Sequence, residues 1–100
     1  MATRLQRLRA EVIAKRGRHC TYCGAGPLYR RALHLDHVHP QSLGGKTELA
    51  NLRPACSHCN TKKAARTLAD YIPIRLIEID RERARLVCIG KKIGALADDC

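Results

Sequence analysis

The sequence has almost no aromatic side chains. Its 100 residues include no Trp, no Phe and three Tyr. Large aromatic side chains dominate the energetics of ordinary cores, and a core of Leu, Ile, Val and Ala in so short a chain supplies only a few kcal/mol. A second source of stability is therefore expected, and the six cysteines are the candidates.

Acidic residues are also scarce. Nine Asp and Glu stand against 19 Lys and Arg, which gives a formal net charge of +10. This excess is compatible with an ordinary solvated surface. It also fits a polyanionic partner, because Lys and Arg that neutralise phosphates release counterions and bind without sequence preference.

Two targeting features are missing. The sequence has no run of about 18 apolar residues that could cross a bilayer. Its basic start is not followed by the apolar segment of a secretory signal. We therefore expect no membrane partner and a cytoplasmic location, where paired cysteines bind metal more often than they form disulfides.

A basic helix is predicted at the N-terminus, over Thr3–Lys15. Thr3 and Gln6 have the spacing of a capping box, and Gly17 can end the helix. Four cationic residues follow one face of this helix and its end, where they are either solvated or candidate DNA contacts: Arg4, Arg7, Lys15 and Arg18.

The rest of the chain alternates short elements with loops. Residues 33–38 have the alternation of a strand, Gly44–Gly45 requires a permissive turn, and residues 60–71 favour a helix that begins at Asn60. Residues 73–100 can form a helix or a hairpin. The absence of Gly or Asn at the turn favours the helix.

Four cysteines have the spacing of a metal site. Cys20 and Cys23 form one Cys-x-x-Cys pair, and Cys56 and Cys59 form a second. Two intervening residues let a tight turn present both sulfurs to one ion, and two such pairs complete a closed, structural zinc site. Cys88 and Cys100 have no such spacing, and we assign them no role.

The residues around these pairs carry a longer motif. Residues 35–45 read Leu-Asp-His-Val-His-Pro-Gln-Ser-Leu-Gly-Gly, and residues 51–63 read Asn-Leu-Arg-Pro-Ala-Cys-Ser-His-Cys-Asn-Thr-Lys-Lys. From about residue 18 to residue 64 the chain closely resembles the HNH endonuclease family, in the order and spacing of the Asp-His pair, the proline, the Gly-Gly turn, the Asn-Leu pair and the second cysteine pair.

The resemblance implies an α+β fold and a set of site residues. The fold is a ββα-metal finger stapled by the four-cysteine zinc site, here with an N-terminal helix and a C-terminal extension. We expect one nuclease domain over residues 1–100, with a basic helix (1–17), the zinc-stapled core (18–72) and the extension (73–100). By resemblance, His37 is the general base, Asp36 a ligand of the catalytic metal, Asn51 the brace of the loop and Asn60 the second metal ligand.

Asn60 differs from the usual residue of the family at this position, which is a histidine. An HNN variant is implied. An amide oxygen is a poor ligand for transition metals, so Mg²⁺ or Mn²⁺ is expected at the active centre, with Ni²⁺ as an alternative. Two further residues are candidate phosphate contacts: His39, expected on the same strand face as His37, and Lys63, which matches the family's lysine.

Three functions are compatible with these patterns. The first is a DNA endonuclease that nicks or cuts with weak sequence preference, the second a zinc module that binds nucleic acid without cutting, and the third a protein that uses zinc only to fold. The Asp36-His37 pair favours the first, because pure binding does not need a carboxylate aimed at a phosphate. Small proteins of this family are often encoded by phages or prophages, so host cytoplasm, double-stranded DNA and a terminase large subunit are implied, with a monomer or weak dimer.

Overall fold

Three helices and two strands form within residues 2–95, which are the residues that the computed structural model describes. In chain order they are α1 (Arg4–Arg16), β1 (His34–His37), β2 (Leu52–Ala55), α2 (Ser57–Lys63) and α3 (Leu68–Ala95). The chain divides into two units, Met1–Leu68 and Ala69–Cys100. The first unit has the α+β composition that the sequence predicts, with β1, β2 and α2 in ββα order.

The N-terminal helix forms as predicted. Thr3 is the N-cap of α1, and both bonds of the capping box are present: the Thr3 hydroxyl accepts from the Gln6 N–H, and the Gln6 side chain accepts from the Thr3 N–H. Gly17 ends the helix with a φ of 82°, a conformation that favours glycine. Local sequence is therefore sufficient to set both ends of α1.

Arginine side chains attach α1 to the strands. Arg16 donates from Nε to the Leu52 carbonyl at 3.0 Å and from Nη2 to the Leu49 carbonyl at 3.1 Å. Arg9 donates from Nη1 to the Leu33 carbonyl at 2.6 Å. In a chain with few aromatic residues, these guanidinium groups satisfy backbone carbonyls, and their aliphatic stems can add apolar cover.

The two strands form an antiparallel hairpin that positions the Asp-His pair. The register pairs His34 with Ala55 and His37 with Leu52. Leu52 and Ala55 are buried, and α2 packs against β1. Alternation along β1 buries Asp36, while His37 at the strand end is half-buried.

The second helix begins and ends earlier than predicted. It begins at Ser57, because Cys56 is its N-cap and the Cys56 Sγ accepts from the Cys59 N–H at 3.4 Å. It ends at Lys63, because Ala64 has a φ of 47°. Asn60 therefore lies within α2, and the prediction that Asn60 begins the helix is wrong. Helix propensity over residues 60–71 is overridden by this break.

The second unit contains one helix in its described part. α3 contains Pro73 and continues across the predicted boundary between the core (18–72) and the extension (73–100). The helical interpretation of the extension, rather than the hairpin, is confirmed over residues 73–95. Cys88 lies on α3, and Cys100 lies outside the described residues. None of the described helices is long and apolar enough to cross a membrane.

Candidate active site

The four predicted zinc ligands come together. The sulfur atoms of Cys20, Cys23, Cys56 and Cys59 all lie within 4.8 Å of one another, and the Cys23 and Cys56 sulfurs are 3.7 Å apart. A tetrahedral ion with Zn–S bonds of about 2.3 Å requires sulfur separations of about 3.8 Å. The cluster therefore has the ligand type and the spacing of a four-cysteine zinc site.

The lowered pKa of one thiol favours metal binding at this cluster. Burial raises the pKa of the Cys20 thiol, but hydrogen bonds from neighbouring backbone N–H groups, Cys56 first, lower the pKa by more, to about 7. Backbone N–H groups also point at other sulfurs, such as that of Ala25 toward the Cys23 Sγ at 3.5 Å. Thiolates are the metal-binding form of cysteine, so part of the cluster is ready to bind metal near neutral pH.

Asp36 is a buried carboxylate with two side-chain partners, Lys63 and Tyr22. It is 4% exposed and forms an ion pair with Lys63, whose Nζ lies 3.3 Å from Asp36 Oδ2 and donates to the His37 carbonyl at 2.9 Å. The Tyr22 hydroxyl donates to Asp36 Oδ2. Burial, with Asp36 itself, raises the pKa of Tyr22 far above its usual value, so the phenol remains a donor. A carboxylate has about four acceptor positions, so room for a metal ion remains.

Lys63 lies in surroundings different from those that the sequence predicts. The sequence predicts that it contacts a phosphate, but its side chain is 0% exposed. A fully buried ammonium group cannot reach the backbone of a duplex. Its ammonium group is instead the charge partner of Asp36.

Asn51 closes the loop that follows β1. Its Oδ1 accepts from the His39 N–H at 2.9 Å, and its Nδ2 donates to the carbonyls of His39 at 3.0 Å and Lys46 at 2.9 Å. Both donor hydrogens and the acceptor of the amide are thus used. The contacts are those required of a residue that braces the loop.

The Gly-Gly turn within this loop has two separate requirements. Gly44 has a φ of 93°. At Gly45, a Cβ would lie 1.8 Å from the His39 carbonyl oxygen. The first position needs left-handed backbone, and the second needs the absence of any side chain.

Replacing Gly45 with Ala should therefore destabilise the protein by at least about 1–3 kcal/mol, the usual cost of overpacking. The matched control is Gly90→Ala on α3, where a Cβ meets nothing within 4 Å. That change should be neutral or stabilising by up to about 1 kcal/mol, because alanine is the better helix former. Urea unfolding of both variants measures the difference, and equal stability of the two variants would contradict the close approach at Gly45.

The predicted base and metal ligands line one cavity. A concave site of about 290 Å³ is bordered by Asp36 and His37 from β1 and by Asn60 from α2. The remaining lining residues are Leu35, Pro40, Gln41, Ser42, Ala64 and Ala65. Carboxylate, imidazole and amide groups from two elements thus share one opening to solvent.

His39 does not belong to this lining. β1 ends at His37, so strand alternation does not extend to His39, and the expectation that the two rings share a strand face is wrong. The exposed His39 ring donates from Nε2 to the Leu43 carbonyl at 3.0 Å. This bond supports the loop rather than the cavity.

The four cationic candidates differ in their surroundings. Arg7 and Lys15 are exposed on α1. Arg4 is exposed but donates to the Thr47 carbonyl at 2.9 Å. Arg18 is half-buried, and its guanidinium carbon lies 4.7 Å from the centre of the Tyr29 ring. Arg7 and Lys15 are therefore the most accessible of the set.

The family model for the HNH endonuclease matches residues 20–66. Residues 20–66 are therefore similar to an HNH endonuclease domain. The matched region contains both cysteine pairs, the Asp36-His37 pair, Asn51 and Asn60, while α1 and α3 lie outside it. No curated protein matches the chain. HNH domains belong to nucleases, so the match supports nuclease activity in general terms.

Three residues of the site were not predicted from the sequence. Tyr22 lies inside the first cysteine knuckle, where an aromatic residue in a chain with only three Tyr is a signal of a specific contact. Thr47 and Gln41 both hydrogen bond near His37. Thr47 lies outside the quoted motif stretches, and the folded loop brings its hydroxyl to the imidazole and the Gln41 amide to that hydroxyl.

Proposed function

We propose that this chain is a metal-dependent endonuclease that hydrolyses phosphodiester bonds in DNA. The observation that carries the proposal is the cavity in which Asp36, His37 and Asn60 meet within an HNH domain. Such a cavity combines a base with two hard oxygen donors, which are the groups that metal-assisted hydrolysis needs.

His37 acts as the general base. Its half-buried imidazole lines the cavity, and a neutral imidazole is the side chain that most often accepts a proton from water in general-base catalysis. Asn51 holds the loop beside it through three hydrogen bonds. A base kept in one place loses less rate to misalignment than a mobile one.

Asp36 and Asn60 hold the catalytic divalent ion. Their carboxylate and amide oxygens fit Mg²⁺ or Mn²⁺, with Ni²⁺ as an alternative. When bound, the ion supplies charge stabilisation to the phosphate and the leaving oxygen. Lys63 fixes the Asp36 carboxylate from the buried side, so that its free acceptor positions can point toward the cavity. The four cysteines hold a structural zinc ion.

Double-stranded DNA is the substrate, bound mainly through its phosphates. The net charge of +10 and the exposed Arg7 and Lys15 support contact that depends on salt more than on sequence. Arg4 and Arg18 add to the positive field next to these residues. With one proposed site per chain, a monomer nicks one strand at each encounter, and cutting both strands requires a dimer, a partner or two encounters.

The biological setting follows from the resemblance to small phage and prophage proteins. We infer a cytoplasmic enzyme, in host cytoplasm where the chain is phage-encoded. A terminase large subunit is the partner that DNA packaging implies. Pull-down of a co-expressed terminase large subunit by the tagged chain tests this setting separately from the chemistry.

Digestion of supercoiled plasmid tests the proposed activity. The zinc-loaded protein should relax plasmid when Mg²⁺, Mn²⁺ or Ni²⁺ is added, and excess EDTA should stop the reaction. A salt-dependent mobility shift without relaxation would instead indicate a module that binds nucleic acid. Absence of both would indicate that zinc serves only the fold.

A further inference from the structure

The side chain of Thr47 hydrogen bonds directly to His37, the proposed base. Its Oγ1 lies 2.9 Å from His37 Nε2 and 3.0 Å from Gln41 Nε2. Its backbone carbonyl accepts from Arg4 at 2.9 Å. The residue is thus fixed from α1 through its main chain while its hydroxyl faces the imidazole.

The donors and acceptors around the Thr47 hydroxyl limit the direction of its hydrogen bond to His37. The Gln41 amide nitrogen carries only donor hydrogens, so Thr47 Oγ1 accepts from it and keeps one further acceptor position. If the Thr47 hydroxyl donated to His37 Nε2, the neutral ring would carry its proton on Nδ1 and have no free lone pair. If His37 Nε2–H donates to Thr47, Nδ1 keeps its lone pair and can accept a proton.

We propose that Thr47 is a positioning residue that holds His37 in the Nε2–H tautomer, with Nδ1 as the nitrogen that takes the proton from water. This inference rests on the proposed function, in which His37 is the base. The same Nε2–H···Oγ1 bond persists when the ring becomes cationic, and a hydrogen bond to a charged group is stronger than one to a neutral group. Thr47 therefore assists the proton transfer without touching the DNA.

Two substitutions separate positioning from simple packing. Thr47→Val keeps the shape and removes the acceptor, so we expect kcat for plasmid nicking to fall roughly 10- to 100-fold with KM little changed. Thr47→Ser keeps the hydroxyl and should restore kcat close to the wild-type value. Circular dichroism and zinc content of both variants check that the fold is retained.

The tautomer can also be measured without any activity. Nitrogen-15 NMR of the wild-type protein should show the His37 Nε2 as the protonated nitrogen and Nδ1 as the unprotonated one. A wild-type ring with its proton on Nδ1 would overturn the inference even if Thr47→Val failed to fold.

The two proposals fail in different ways. If wild-type protein never relaxes plasmid, the proposed function fails, while NMR still reads the tautomer. If wild type nicks, His37→Ala does not and Thr47→Val keeps the full kcat, the endonuclease stands and the role of Thr47 is wrong.

Discussion

Asp36→Asn should bring plasmid nicking to background with Mg²⁺, Mn²⁺ and Ni²⁺ alike. Asp36 is the charged ligand proposed for the catalytic ion, and an amide in its place leaves no carboxylate in the cavity lining. The same change removes the charge partner of Lys63, which is 0% exposed. Leaving one member of a buried ion pair without its partner costs about 3–5 kcal/mol.

A matched double variant separates the catalytic loss from the structural one. Asp36→Asn combined with Lys63→Met removes both charges, and replacing a buried ion pair by uncharged groups is often neutral for stability. We expect the double variant to unfold at a urea concentration near that of wild type and still to be inactive. Recovery of nicking together with stability would show that Asp36 serves only to pair with Lys63.

Cys59→Ser should yield a largely unfolded chain. Cys59 is 0% exposed and supplies one sulfur of the cluster. Structural zinc contributes apparent binding free energies of about 10–16 kcal/mol in small zinc domains, which is comparable to the whole stability of an ordinary domain. Loss of one ligand in a chain without Trp or Phe leaves little to replace that contribution.

Circular dichroism and zinc content measure this second effect. The control is Ser57→Ala. Ser57 is exposed and lies between Cys56 and Cys59, and this variant should keep both the zinc ion and the fold. A Cys59→Ser protein that is well folded and free of zinc would mean that the four-cysteine cluster is not what stabilises the first unit.

Local signals predicted those parts of the fold that depend on few residues. The capping box of Thr3 and Gln6 and the stop at Gly17 were sufficient to define α1, because each bond involves neighbours in sequence. The cysteine pairs could be recognised because metal geometry requires fixed spacing. The ββα order of the first unit was implied by the resemblance to the HNH family.

Long-range contacts explain what the sequence did not predict. Lys63 looked like a surface cation, but its ammonium group reaches Asp36, which lies 27 residues earlier in the chain. α2 begins before Asn60 because a cysteine, rather than a usual capping residue, caps it. Thr47 lies in a loop without regular structure, so only the folded loop brings its hydroxyl to His37.

The most direct measurement of the central claim is a metal titration of plasmid nicking by wild type, His37→Ala and Asn60→Ala. We expect His37→Ala to be slower by roughly 10²–10⁴-fold at every metal concentration, because a metal ion cannot replace a proton acceptor. Asn60→Ala should instead need more Mg²⁺ or Mn²⁺ and recover partly when it is supplied. If added metal rescues both variants equally, or if neither loses rate, His37 is not the base and Asn60 is not a ligand.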